Sequence, residues 1–281
     1  MPGRPSKTLT FAGAVLLLLG GLNTPALSAD GWIAAANSRV RLNWCPPVNG
    51  TADPKGTQHA FVEMQLEPGW KTYWRMPGDA GVAPTFDWAD AVNIAKTTVL
   101  FPAPHRMPDQ GGEAIGYKSS MVLPVRLEPA DPKAAIVPVT AISYGICKNI
   151  CVPVEIKLTG ACYGASPADA AALAAVPRLP GRALPADPKL AVITGSVAAK
   201  PARLTIDVDF GVGAEDTDLF IEAPEGLYVP LPTKAVPDAN GRARFVVDLA
   251  KTIDAKDLLG KELRLTMVGS KGAAEALWVA K

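Results

Sequence analysis

The chain has 281 residues, 28 Lys and Arg against 27 Asp and Glu, a formal net charge of +1, 27 prolines, 25 glycines and 48% hydrophobic residues. That near-balance of charge gives no electrostatic footprint for nucleic acid or for an anionic membrane surface. The density of proline and glycine favours short strands and many turns over long helices.

Taken from the N-terminus, Arg4 and Lys7 precede an apolar run from Phe11 to Leu19, followed by small residues at Ala26, Ser28 and Ala29. This pattern predicts a secretory signal over residues 1–29, too short to span a bilayer well, cleaved near Ala29. No cysteine follows to suggest a lipid anchor, and no later stretch is apolar and long enough to cross a membrane. Loss of Arg4 and Lys7 lowers the basic count from 28 to 26 against 27 acids, so the expected mature charge is −1. The product is expected to be soluble and exported into an oxidising compartment, where disulfides persist.

Strand-like alternation begins at Ser38 to Leu42 and recurs in His59 to Leu66, which ends at the turn Glu67-Pro68-Gly69-Trp70. "KTYWRMPG", "NIAKTTVLF", "MVLPVRLEP", "AAIVPVTAISYG" and "VPVEIKLTG" continue the series. Short strands separated by turn signals predict an antiparallel sandwich rather than a parallel α/β sheet. At Ser166 the texture changes: Ser as N-cap, Pro at the first helical position and an alanine-rich turn or two predict a short helix, which Pro177, Pro180, Pro185 and Pro188 then stop. The second half resumes with "ARLTIDVDF", "DLFIEAP", "LYVPLP", "ARFVVDLA", "ELRLTMVG" and "EALWVAK", with Asn240-Gly241 as a tight-turn signal. The predicted class is therefore all-β: two immunoglobulin-like antiparallel sandwiches, residues 30–165 and 188–281, joined by a helix and Pro-rich linker over 166–187. The second half has no cysteine and no histidine, and no chemistry is legible there.

All four cysteines lie in the first half. If the strands before Gly145 and after Val152 pair as a hairpin, Lys148-Asn149-Ile150 is its three-residue loop, with Asn149 tolerant of the left-handed conformation. Facing Cα atoms there are expected roughly 4.5–5.5 Å apart, within the disulfide range of about 4.4–6.8 Å. A bridge between Cys147 and Cys151 would sit at an exposed hairpin tip and close a very short loop, so it constrains the unfolded chain little. Such accessible bridges are the labile ones, and Lys148 is placed to favour a thiolate. Cys45 and Cys162, at the ends of the first and last strands of this half, would close a loop of more than a hundred residues. That is worth up to about 4–5 kcal/mol in the chain-entropy model. Of the three pairings open to four cysteines, we favour Cys147–Cys151 as functional and Cys45–Cys162 as structural.

"GWKTYWRMPGDAGVAPTFDW" (69–88), "FPAPHRM" (101–107), "EAIGYKSSMVLPV" (113–125) and "YGICKNICVPVEIKL" (144–158) occur in one order. Together they resemble the N-terminal periplasmic domain of the disulfide reductase DsbD, most closely its relatives of the ScsB (suppressor of copper sensitivity) type, over most of residues 38–160. The second sandwich is also similar to the two-domain arrangement expected of the ScsB branch. The resemblance implies an immunoglobulin-like domain of the periplasm that takes electrons from a membrane-embedded partner and a thioredoxin-like domain. It passes them on to periplasmic thiol proteins, with no cofactor. The family's cysteine pair maps onto Cys147 and Cys151; its second cysteine makes the mixed disulfide, which implies Cys151 as attacking thiol and Cys147 as resolving thiol. A mobile cap loop covers the pair in DsbD. Its counterpart is expected at residues 107–117, around Pro108-Asp109-Gln110-Gly111-Gly112, with Asp109, Glu113, Ile115 and Tyr117 as candidate cap residues.

Two features depart from DsbD. Its cysteines are more widely spaced than this CxxxC, and its cap aromatic has no clear counterpart here. The chain also stops after the second sandwich, so the expected relay uses separate proteins: a membrane electron-transfer protein and/or a thioredoxin-like protein, together with a periplasmic thiol–disulfide substrate. The resemblance implies a component of a protein-disulfide reductase. Two other classes compete. The same cysteines, with Met107 and His105, offer soft ligands for Cu(I), a copper-binding or copper-tolerance role; His105 and His59 otherwise read as a loop residue and a strand residue. A non-catalytic interaction module would use the aromatic group Trp70, Tyr73, Trp74, Phe86 and Trp88, although alternating aromatics in strands are usually core. No Ser/His/Asp or paired-carboxylate constellation suggests hydrolysis.

Overall fold

The computed structural model describes residues 30–46, 55–78, 81–109, 112–164, 167–175 and 191–281. The expected signal segment and most of the expected linker lie outside these residues. No described helix is long and apolar enough to cross a membrane.

The first half is built from β1 (Ile33–Ala35), β2 (Ser38–Asn43), β3 (Gln58–Leu66), β4 (Lys71–Gly78), β5 (Thr85–Asp87), β6 (Ile94–Val99), β7 (His105–Asp109), β8 (Gly112–Lys118), β9 (Ser120–Pro129), β10 (Val139–Cys147) and β11 (Cys151–Thr159). One sheet runs β1-β2-β3-β9-β6 and the facing sheet β11-β10-β4-β8-β7, with β5 paired to β10 beyond the end of β4. Every pairing between these strands is antiparallel. Alternation in the sequence becomes alternation in space: Ala60, Val62 and Met64 of β3, Met121, Leu123, Val125 and Leu127 of β9, and Ile142, Tyr144 and Ile146 of β10 fill one core. Across it, the Tyr144 hydroxyl and Ser38 Oγ are 2.7 Å apart, tying the two sheets at a buried point.

α1 (Pro167–Ala175) follows, with proline at its first residue. The second half contains β12 (Ala191–Ala199), β13 (Ala202–Asp209), β14 (Asp218–Glu222), β15 (Arg242–Asp248), the short helix α2 (Ala255–Leu258), β16 (Glu262–Gly269) and β17 (Gly272–Val279). Its sheets are β12-β13-β15 and β14-β16-β17, around a separate core that includes Leu204, Ile206, Phe245, Leu263 and Leu265. The segment expected as the strand "LYVPLP" forms none. Pro230 and Pro232 carry no N–H, so only isolated bonds such as Thr233 N–H to the Val246 carbonyl, 2.9 Å, reach β15. β12, rich in small residues, is an additional strand not anticipated from its sequence.

Between Tyr73 and Gly78 the ladder from β4 to β8 slips, five steps on one strand matching two on the other, from Gly116 to Ala114. This bulge carries Trp74 and Arg75 to the second sandwich. The Trp74 and Phe220 rings lie 5.7 Å apart, and the Arg75 guanidinium bonds Glu222 at 2.7 Å and also pairs with Glu275. A second arginine, Arg106 of β7, reaches Asp218 at 2.7 and 2.9 Å.

Cys45 and Cys162 are disulfide-bonded, 117 residues apart in sequence. The bond ties the chain after β2 to the chain after β11, beside the backbone bond from Trp44 N–H to the Ala161 carbonyl, 2.9 Å. Replacing both cysteines by serine is expected to lower stability by about 4–5 kcal/mol, the loop-closure value for a loop of this length. Urea unfolding of the oxidised protein measures it; a loss under about 1 kcal/mol would show that the bridge does not constrain the unfolded chain.

Candidate functional site

β10 and β11 pair without a break from Val139↔Thr159 to Cys147↔Cys151, so the two cysteines face each other where the hairpin ends. Lys148, Asn149 and Ile150 form the turn, closed by Lys148 N–H to the Ile150 carbonyl at 3.2 Å. Cys147 and Cys151 are disulfide-bonded with Cα atoms 4.2 Å apart, near the spacing expected of facing strand residues. The bridge is asymmetric: Cys147 is buried at 2% exposure, whereas Cys151 is exposed. Ile150 beside it is 69% exposed, an apolar side chain on the open rim of the pair. The Lys148 ammonium is directed to the Pro68 carbonyl, 3.2 Å away, in the turn before β4.

Cys147 is buried because β4 flanks the end of β10 (Cys147↔Lys71) and because Tyr73, Met107 and Ala114 pack around it. Two glycines let Tyr73 sit there, Gly116 beside its backbone and Gly145 beside its ring. A Cβ on Gly116 would meet the Thr72 carbonyl oxygen at 2.0 Å and the Tyr73 Cα at 2.8 Å, and one on Gly145 would meet the Tyr73 ring at 3.2 Å. Placed there, the Tyr73 hydroxyl lies 3.3 Å from Cys151 Sγ and 3.3 Å from Asp109 Oδ2. Lys71 Nζ lies 3.0 Å from the same carboxylate oxygen and donates to the Pro108 carbonyl at 2.8 Å. Burial first, and then the Asp109 charge and its hydrogen bond, push the Tyr73 hydroxyl up to about 12. It therefore keeps its proton across the physiological range. That single hydrogen serves either the carboxylate or the sulfur; a disulfide sulfur is a weak acceptor, and a thiolate a much stronger one. The lysine balances the carboxylate, so the sulfur sees a proton donor without an uncompensated negative charge beside it.

The segment expected as a cap loop is a β-hairpin: β7 and β8 pair from His105↔Gly116 to Asp109↔Gly112, and its tip, Gln110 and Gly111, lies outside the described residues. Of the candidate cap residues, Asp109 stands in the network beside Cys151. Glu113 lies on the outer side of the hairpin, 2.7 Å from Arg106. Ile115 and Tyr117 are buried in the main core, where the Tyr117 hydroxyl donates to the Pro102 carbonyl at 2.8 Å; burial raises its ionisation far above the usual range. Met107 is the hairpin residue that packs with Cys147. Tyr73 was legible only as a strand aromatic, and Lys71 not at all, because the contact that gives each a role is non-local.

Of the other residues named from sequence, Trp74 belongs to the main core and Trp70, Phe86 and Trp88 pack partly buried against it. His105 is exposed on β7, opposite Gly116. His59 is exposed on β3. Among the described residues no three His, Cys, Asp or Glu side chains group as metal ligands.

Tyr73 gives a spectroscopic handle. Because its hydroxyl ionises near 12 in the folded protein against about 10 unfolded, its burial stabilises the fold fully below pH 10, and that contribution is lost as pH rises towards 12. Tyr73→Phe is expected to remove a tyrosinate absorbance step with midpoint near 12 and to flatten the fall in stability over this window. An unchanged alkaline titration would contradict the assignment.

No curated protein matches the chain. Residues 47–161 match the family model described as "Thiol:disulfide interchange protein DsbD, N-terminal". In structure, the chain is similar to the N-terminal periplasmic domain of ScsB from Proteus mirabilis, at 21% identity and a TM-score of 0.69, over 89% of this chain and 97% of that one. InvD of Yersinia pseudotuberculosis, at 11% identity over 87% of this chain and 58% of that one, has a TM-score of only 0.20 and has no bearing on the fold. Residues 47–161 thus match the model of the DsbD N-terminal family, in a chain that shares its fold with the N-terminal periplasmic domain of ScsB.

Proposed function

We propose that the chain is a periplasmic dithiol–disulfide carrier, exported by its N-terminal signal, that exchanges disulfides with partner thiol proteins through Cys147 and Cys151. The observation that carries this reading is the asymmetry of the pair: one sulfur buried under the β7–β8 hairpin, the other exposed, with the Tyr73 hydroxyl 3.3 Å away.

In the reduced carrier, the Cys151 thiolate attacks one sulfur of a substrate disulfide. A Cys151–substrate disulfide forms, and the other substrate sulfur leaves as a thiolate. Cys147 then attacks Cys151 Sγ, the mixed disulfide breaks, and the second substrate sulfur leaves. Two electrons have passed from the carrier to the substrate, whose thiolates take up two protons from solvent. The carrier is left in the oxidised form of this structure. Regeneration reverses the order: a thiolate of a separate thioredoxin-like dithiol attacks Cys151, the exposed member, and Cys147 leaves. The reductant's second thiolate then attacks its own bridged sulfur, Cys151 leaves as a thiolate, and the reductant ends as a disulfide. The hairpin register keeps Cys147 facing Cys151 throughout, so resolution needs no large backbone movement. The Tyr73 hydroxyl stabilises Cys151 whenever it carries negative charge, as attacking or as departing thiolate. A thioredoxin-like protein and a membrane electron-transfer protein are the proposed suppliers of electrons, and a periplasmic thiol protein the acceptor.

Incubated with an oxidised thioredoxin-like protein, the reduced Cys147→Ser variant is expected to accumulate a mixed disulfide through Cys151, and Cys151→Ser to accumulate none. Non-reducing electrophoresis and mass spectrometry read the outcome; the reverse pattern would overturn the roles of the two cysteines, and no adduct with either variant would overturn the carrier reading. Tyr73→Phe is expected to slow exchange by about tenfold, the worth of one hydrogen bond to a charged sulfur.

A further inference from the structure

The second sandwich contributes no residue to the Cys147–Cys151 site, yet it holds the element that covers the site. β7 is the last strand of its sheet, with β8 as its one strand neighbour among the described residues. On its outer side it is held by Arg106. That guanidinium donates to both carboxylate oxygens of Asp218 on β14, at 2.9 and 2.7 Å, and to the Pro232 carbonyl at 3.1 Å. Each partner side chain of this ion pair is only 9% exposed. Two parallel bonds and a third to a carbonyl fix the position and the plane of the guanidinium, and with them the strand.

Strand alternation connects this anchor to the disulfide. Successive side chains point to opposite faces, so Arg106 turns to the second sandwich and Met107 turns to Cys147. Two residues on from Met107, Asp109 reaches Tyr73 and Lys71. Outward movement of β7 would therefore withdraw Met107 from the buried sulfur and Asp109 from the Tyr73 hydroxyl in one step. Lys71 holds the strand from inside through Asp109 and the Pro108 carbonyl; Asp218 holds it from outside. Without Asp218, Arg106 keeps as its charge partner only Glu113, itself 49% exposed and on the same hairpin, and its hold on the second sandwich falls to the single bond to the Pro232 carbonyl.

We propose that the second sandwich is a brace for the covering hairpin, and that Asp218 is the positioning residue through which it limits access to Cys147–Cys151. This rests on the redox reading of that pair. It predicts that Asp218→Asn, which can keep the local bond from Leu219 N–H to Oδ1, opens the pair to a small reductant without dismantling the fold. In the exported chain, reduction of Cys147–Cys151 by dithiothreitol, followed by alkylation and mass spectrometry, is expected to be about tenfold faster in Asp218→Asn than in the parent. Glu222→Gln, which weakens the other inter-sandwich pair at Arg75 and leaves the hairpin untouched, is expected to stay within about twofold of the parent. The proposal is overturned if Asp218→Asn also stays within that twofold, or if Glu222→Gln accelerates reduction equally, since general loosening of the interface would then explain both. Should Asp218→Asn fail to fold, Arg106→Lys, which keeps the charge and loses the fork, carries the test with the same two outcomes. The small reductant requires no partner protein, so this result is independent of the mixed-disulfide trapping.

Discussion

The pairing of β10 with β11 ends on two cysteines that face each other, and the rest of the site is arranged around that register. A shift by one residue would turn Ile142, Tyr144 and Ile146 out of the core, so the hydrophobic pattern of β10 holds the cysteines in register without any help from the disulfide. The place of the strands therefore does not depend on the bond between the sulfurs. A working dithiol needs that property: its geometry must survive the loss of its own bond.

What the register does not supply is the difference between the two sulfurs. Cys147 lies at the end of a strand flanked by β4 and roofed by Met107, whereas Cys151 begins the edge strand β11. Edge position exposes one sulfur, and central position buries the other. Tyr73 then adds a proton donor on the exposed side; the missing side chain of Gly116 leaves room for its backbone and that of Gly145 for its ring. The asymmetry thus follows from strand order and two glycines rather than from any unusual feature of the CKNIC segment.

Much of this was legible in the sequence, and the limits have physical causes. The alternation in HAFVEMQL, MVLPVRLEP and VPVEIKLTG carried β3, β9 and β11, because half-buried strands write their burial into every second residue. β12 carries mostly Ala, Gly, Ser and Val, so its periodicity is faint, and LYVPLP has the periodicity but lacks the donors that a strand needs. Pro108-Asp109 and Gly111-Gly112 read as flexible backbone, yet the residues flanking the tip pair as β7 and β8. Tyr73, Lys71, Arg106 and Asp218 are ordinary residues in their own segments. Each acquires a role from a partner 36 or more residues away, a separation that local pattern does not encode.

The two disulfides divide the labour that one bond could not perform alone. The Cys45–Cys162 bridge closes a span of 117 residues and removes many unfolded conformations. The Cys147–Cys151 bridge closes a span of 4 and removes almost none, so breaking it costs the fold little. The proposed carrier role would benefit from this separation, because stability then varies little with redox state. The ion pairs to the second sandwich extend the same logic. They hold β4 and β7 in place by contacts that contain no sulfur, so the walls of the site do not depend on the bond between its sulfurs.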